Sequence, residues 1–443
     1  MMNGITANLR EYWEERHLIP TGVWLLLITY SLIAFGSPMP PKITWLEIVM
    51  GCGLLFSGIA LAGLVIRESR QQSLAKWCLG LTILLCLLPL PVGLIRGNAL
   101  SNITRDIFPL LFLLVVPILL TYSVSSANRA LMRTLITTAL IFVGICCAVT
   151  VSVGEQKLFG SANQMISAMR GGFAQVLADR AVPVAGQASL EFDNPERMLF
   201  LKLYDPATLF ASIFLSGWGV VLMARSWREC LPGMILAVMG ALIAYEFMKL
   251  GLRAHAVLFV LSIATICLTQ LRNRGLYIRL LPVIFVACVL LSSQIEAVLQ
   301  LLWAKQQLVG SNGKLNEWLD VISTVFSSFQ TALFGIGWGG VLVNSIYSNA
   351  PTRFTHSILS FYLLKTGTIG LGVLLTIIGM LFAHLQKAGV SGTFDIPRLI
   401  LLVSCIPPLI IGVLFEPTYK MLSYGVILAL FALALPIFEK KTW

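Results

Sequence analysis

Long apolar runs recur along this 443-residue chain, and each is close to the length of a membrane crossing. A helix needs about 20 apolar residues to span roughly 30 Å of hydrocarbon. About twelve such runs can be read, near 18–36, 45–66, 77–95, 106–124, 131–153, 206–224, 231–248, 254–270, 280–296, 357–385, 398–415 and 421–438. The chain is 57% hydrophobic and 12% charged, with a mean hydropathy of +0.87. Soluble domains carry about 25% charged residues. The expected fold is therefore all-α, a polytopic integral membrane protein forming one transmembrane domain over 1–443. The stretch Met1–Pro20 is polar and charged, so the first span is expected to act as the targeting signal.

Basic residues fall in every second short connection. Arg67, Arg70 and Lys76 follow the second expected span, Arg129 and Arg133 the fourth, and Arg225 and Arg228 the sixth. Arg272, Arg274 and Arg279 follow the eighth, Lys387 and Arg398 the tenth, and Lys440 and Lys441 the last. Positive connections stay in the cytoplasm, which places both termini there. The two long loops, 154–205 and 297–356, then face outward. The net charge of +11 fits this bias and attraction to anionic headgroups. Whether it also serves an anionic substrate depends on where the charges sit.

Metal and disulfide chemistry leave no trace in the spacing. The nine cysteines lie in or beside apolar spans, and His17, His255, His356 and His384 form no ligand motif. No short repeat, low-complexity tract or heptad run is present, and nothing points to nucleic acid.

The second long loop carries the most information. In 297–332, Leu301, Leu302, Leu308, Leu315, Trp318, Leu319, Ile322, Val325 and Phe326 recur at helical spacing among polar residues. This predicts an amphipathic helix that lies on the membrane or caps the bundle. Gly335, Gly337, Gly339 and Gly340 should break it. A nucleotide site is a weak reading of these glycines, because no strand–helix context surrounds them.

A charge within or at the edge of a span is costly unless paired or hydrated, so such residues are the first functional candidates. On the outer side they are Arg96, Arg105, Asp106, Arg170, Arg180, Arg197, Lys202, Glu246, Lys249, Arg253, Lys314, Arg353, His356, Lys365, Glu416 and Lys420. Glu246, Lys249 and Arg253 would align on a continuous helix, whereas Gly251 permits a sharp turn instead. Asp205-Pro206 reads as the capped start of a helix, with Arg197 upstream. Arg353 sits one turn before His356, which opens an apolar run. Imidazole can take a proton near neutral pH, and guanidinium grips phosphate oxygens in pairs without losing its charge. Arginines with one histidine suit a phosphate-bearing substrate better than hydrolysis by paired acids.

Three features together resemble the bacterial O-antigen ligase and polysaccharide polymerase superfamily. They are Arg197 before the Pro206-headed span, Arg253 in the tight turn Lys249-Leu250-Gly251-Leu252-Arg253, and the long outer loop. That loop runs from Trp318 through Phe334-Gly335-Ile336-Gly337-Trp338-Gly339 and His356-Ser357-Ile358-Leu359 to Lys365-Thr366-Gly367-Thr368-Ile369-Gly370. The family often has Asn after the histidine and an acidic residue before the Thr-Gly pair; here Ser357 and Lys365 stand there.

The resemblance implies an inverting, metal-independent glycosyltransferase of the bacterial inner membrane that works at the periplasmic face without a cofactor. The donor would be a glycan on undecaprenyl pyrophosphate, gripped by Arg197 and Arg253 with Arg353 nearby. His356 would orient or deprotonate the acceptor hydroxyl, borne by a lipid A–core sugar (a ligase) or a second lipid-linked glycan (a polymerase). Membrane lipids surround the site. The competing readings are a transporter or flippase, for which Pro89, Pro91 and Pro407-Pro408 inside spans give weak support, and a peptidoglycan-type polymerase leaning on Glu246 or Glu416.

Overall fold

The computed structural model describes residues 30–31, 49, 52–53, 80, 83–84, 87–122, 126–159, 202–249, 252–270, 296, 303, 314–345, 350–353, 355–390 and 395–435. Arg197 and most of the first, second and ninth expected spans lie outside them.

The described chain is all-α apart from one small hairpin. Its helices are α1 (Pro89–Ile95), α2 (Leu100–Leu111), α3 (Val115–Tyr122), α4 (Ser126–Phe159), α5 (Pro206–Arg225), α6 (Cys230–Lys249) and α7 (Arg253–Thr269). Then come α8 (Lys314–Val325), α9 (Phe329–Phe334), the strands β1 (Leu342–Asn344) and β2 (Ala350–Thr352), α10 (Ile358–Val390), α11 (Ile396–Leu414) and α12 (Leu422–Ala434). Among the described residues, six stretches are helical, long and apolar enough to cross a membrane: Leu100–Leu120, Ala130–Val153, Pro206–Arg225, Cys230–Met248, Ile358–Thr376 and Ile396–Leu414. Two shorter apolar helices, α7 and α12, fall on two further expected spans. The fourth expected span begins at Leu100 rather than 106, so Arg105 and Asp106 lie inside a helix and not at its edge.

Helix α5 is the axis of the bundle. Asp205 caps it by accepting the Ala207 N–H at 2.8 Å, and Pro206 occupies its first turn, as the sequence predicts. Almost every residue of α5 is buried. Small residues let α6 lie directly on it: a Cβ at Gly219 would strike the Gly233 carbonyl, and one at Gly240 would strike Ser216. Close backbone approach of this kind replaces the hydrophobic drive that lipid-solvated helices lack. The outward residues Leu231, Ile235, Val238 and Leu242 of α6 are apolar and exposed, which suits a lipid-facing side. Helices α4, α11 and α12 pack around α5, with α3 against α12.

Helix α6 ends at Lys249 and α7 begins at Arg253, and the Leu252 N–H bonds back to Phe247 O at 2.8 Å. One continuous helix through Glu246, Lys249 and Arg253 is therefore not what is observed. The expected amphipathic helix of the long loop is interrupted at Phe326–Ser328, where Ser328 and Thr331 form a capping box that starts α9.

Helix α10 is broken at Gly367, whose φ of 65° and ψ of −161° lie far from helical values. The break strands the carbonyls of Leu364 and Lys365. Ile336 and Gly337 take them, donating their N–H groups at 2.8 and 3.1 Å. This requires Gly335 (φ 69°) and Gly367 to stand backbone to backbone, since a Cβ on either would meet the other's segment. Residues 335–340 are fully buried, the condition under which irregular backbone survives within a membrane protein. Gly367→Ala or Gly335→Ala combines a positive-φ, extended-ψ conformation that essentially only glycine adopts, costing about 1–3 kcal/mol, with a direct backbone clash. Either substitution should lower the SDS midpoint of unfolding well below that of Gly372→Ala, where a Cβ meets open space.

Candidate functional site

The glycine loop is pinned by charge as well as by backbone. Lys365 Nζ lies 2.7 Å from Asp106 Oδ2 and 2.6 Å from Gly340 O, with the ammonium wholly buried. Asp106 also accepts the Gly339 N–H at 2.9 Å. Asn98 donates to Ile336 O and Trp338 O at 3.3 and 2.8 Å. Trp338 N–H bonds Pro89 O at 3.2 Å, which ties α1 to the same loop. Lys365 is thus a structural cation, and its partner sits 259 residues away in sequence.

From this loop β1 and β2 lead to Arg353 and His356. The strands pair antiparallel, Leu342 opposite Thr352 and Asn344 opposite Ala350. His356 stands just before α10, where Ser357 caps the helix by accepting the Ser360 N–H at 3.0 Å. Thr355, Ser357 and Ser360 are buried and bond to one another, and Tyr419 O–H donates to Thr355 O at 3.4 Å.

The histidine is clamped by Glu317 of α8. The His356 backbone N–H donates to Glu317 Oε1 at 2.7 Å, and Nδ1 lies 2.8 Å from Oε2. Asn344 donates to Oε2 at 3.1 Å. A carboxylate with both oxygens accepting requires Nδ1 to carry its proton, so Nε2 is the basic nitrogen. An amide here would set an NH2 against one of these donors. Burial pushes the Glu317 carboxyl up, but the hydrogen bonds and charge of His356, aided by Asn344, outweigh it and hold the group below its usual value. Glu317 is 1% exposed.

Cations gather beside this dyad. Lys420 Nζ lies 4.6 Å from the Phe361 ring centre and Lys365 Nζ 5.8 Å from the same ring. Arg105 follows on the residue next to Asp106. Burial lowers the Lys420 ammonium to about 8; Asp106 opposes this, and the positive charges of Lys365, Arg353 and Arg105 add to it. Arg353 is half-buried, and its Nη1 is buried with no hydrogen-bond partner among the described residues.

The first turn of α8 links this region to the rest of the bundle end. Lys314 bonds Phe415 O at 2.6 Å and Glu416 at 2.9 Å, one turn before Glu317. His255 feels the charge of Lys314 and packs on Tyr204 and Phe247. The start of α7, with half-buried Arg253 as its first residue, therefore lies at the same end of the bundle as His356. Arg197 lies outside the described residues, eight positions before the Asp205 cap at that end. Glu416 is engaged by Lys314, and Glu246 accepts from Ser152 at 2.8 Å.

Sequence reading missed Glu317 and Asn344. The buried arc of α8 is Glu317, Val321 and Val325, while Leu315, Leu319, Ile322 and Phe326 point outward. An acid placed i, i+4, i+8 with two valines was the available signal. No three His, Cys, Asp or Glu side chains converge as a metal site among the described residues.

This architecture is that of an all-α, multi-pass membrane protein with a clamped histidine and a cation cluster at one end. No family model, curated protein or solved structure matches the chain.

Removing one partner of a buried ion pair costs about 3–5 kcal/mol because the other charge is stranded. Lys365→Met and Asp106→Leu should each lower the SDS unfolding midpoint strongly. The double variant should recover part of the loss. Recovery stays incomplete because Gly339 N–H and Gly340 O lose their partners.

Proposed function

We propose that this protein transfers a glycan from undecaprenyl pyrophosphate to an acceptor hydroxyl, as a member of the O-antigen ligase and polysaccharide polymerase class. The reading includes about twelve spans in a bacterial inner membrane, both termini in the cytoplasm, and the His356 end facing the periplasm. Arg225, Arg228 and Arg398 at the opposite helix ends favour that orientation.

One observation carries the proposal. His356, set by Glu317 with Nε2 as its basic nitrogen, follows closely on Arg353, whose buried guanidinium nitrogen has no partner among the described residues. An orphaned buried cationic donor calls for an anion, and a diphosphate offers oxygens in paired geometry. The acceptor O–H gives its proton to His356 Nε2 as its oxygen bonds the anomeric carbon. The bond from that carbon to the pyrophosphate oxygen breaks, and its electron pair leaves with undecaprenyl pyrophosphate. Attack opposite the leaving group inverts the centre. Arg353, Arg253 and Arg197 bind the diphosphate and stabilise its growing charge, with Arg105 and Lys420 adding to the field.

The transporter or flippase reading draws on the broken helix α10 and the buried pair Asp106–Lys365. Against it, the carbonyls freed at Gly367 are taken by the glycine loop rather than left to line a path.

The deciding experiment incubates purified protein with undecaprenyl-pyrophosphate glycan, with and without lipid A–core acceptor, in the presence of a chelator. Product size separates ligase, polymerase and inactive protein. His356→Ala should slow transfer by about 10²–10⁴-fold, the usual worth of a general base. Arg253→Ala should be similarly impaired, and Arg253→Lys should not rescue it, because ammonium cannot make a paired contact. Transfer by the His356 variant at the native rate would remove that residue from the mechanism.

The lowered Lys420 ammonium sets a pH dependence. It is charged below about 8 and loses its charge above. Affinity for the polyprenyl pyrophosphate should therefore fall as pH rises from about 7 to about 9, by the loss of one cation from the cluster. Lys420→Met should bind more weakly at the lower pH and flatten this step in a titration.

A further inference from the structure

Helix α8 has three differently built arcs. Glu317, Val321 and Val325 face the bundle. Asn316, Asp320 and Ser323 form a polar arc, with Asp320 accepting the Ser345 N–H and O–H at 2.9 and 2.6 Å. The third arc is Leu315, Leu319, Ile322 and Phe326, at i, i+4, i+7 and i+11, and Phe329 extends it at the start of α9. These five residues are 65%, 57%, 41%, 57% and 79% exposed. No charge interrupts the arc, and no described residue covers it.

A helix on a protein surface in water needs two arcs, one apolar and one polar. A third, apolar and outward, calls for a second apolar medium. Where the helix sits identifies that medium. Helix α9 rides on the side of α10, with Thr368 Oγ1 donating to Ala332 O at 2.9 Å and Gly335 against Gly367. That contact lies seven to ten residues past Ile358, within the apolar stretch Ile358–Thr376. On α10 itself the outward residues Ile369 and Leu375 are apolar and exposed. Helices α8 and α9 both pack against the helix that carries this side.

We infer that α8 and α9 lie in the interfacial layer of the leaflet on the His356 side, that the Leu315–Leu319–Ile322–Phe326–Phe329 face is immersed among lipid chains, and that this immersion holds Glu317 against His356. The occupant is the bilayer, and the inference stands whether the site transfers glycans or moves them. A helix so placed gains from burying its apolar arc in the interface while its polar arc stays wet. Its inner face then carries Glu317 at a fixed depth.

The test places a spin label on single cysteines at Leu319, Phe326, Ser323 and Leu375, in the full chain in nanodiscs of phosphatidylethanolamine and phosphatidylglycerol. The unsubstituted chain is the blank for native cysteines. Collision with oxygen reports lipid, and collision with a soluble nickel chelate reports water. Leu319 and Phe326 should match Leu375, whereas Ser323 should favour nickel. If Leu319 and Phe326 behave like Ser323, or are shielded from both agents by another segment or a second copy, the inference is overturned.

Coupling is read by amide exchange at His356, whose N–H donates to Glu317. Leu319→Asp should speed that exchange by about ten-fold or more, while α12 stays protected, since local opening need not reach the core. Ser323→Asp adds the same charge on the polar arc and should leave it unchanged. Unaltered His356 exchange in the Leu319 variant would sink the coupling.

Discussion

The buried pair of Asp106 and Lys365 is the contact on which the His356 end of this molecule depends. In a low-dielectric interior neither charge is tolerable alone. Each is therefore saturated. Lys365 bonds Asp106 and Gly340 O, and Asp106 accepts the Gly339 N–H as well. Three distant stretches, α2, the glycine loop and α10, are tied at one point. Because β1 and β2 continue from that loop to Arg353 and His356, the position of the histidine is inherited from this knot.

The knot also explains what sequence could and could not reveal. Membrane spans are legible because hydrocarbon thickness is read locally, residue by residue. The Asp205-Pro206 helix start is legible for the same reason, since a cap needs only its own neighbours. The glycine run announces a break, but not what the broken backbone packs against. Its partners, Gly93, Ile103 and Gly367, lie on other segments. Charge at Arg105 and Asp106 suggested a helix edge. The edge vanishes once Lys365 arrives from far along the chain to neutralise the acid.

The site was half visible. His356 and Arg353 are neighbours in sequence, and their juxtaposition needs no fold to bring it about. Glu317 was hidden because periodicity marks apolar positions, and an acid set within a packed arc leaves only a gap in that pattern. On α8 the packed arc is two valines and an acid, and the broader stripe faces out. Where two apolar media border one helix, periodicity counts the stripes without saying which faces the core. The resemblance to the ligase and polymerase class rests on motifs, whereas the clamp on the imidazole comes from tertiary structure alone.

Helix α8 is fastened at two points one turn apart. Lys314 grips Phe415 O and Glu416 at the end of α11, and Glu317 grips His356 at the head of α10. A helix this short is stiff, so the two grips act as the arms of a rocker. The end of α11 and the imidazole are thereby joined through one short helix, with Glu416 at one arm and His356 at the other.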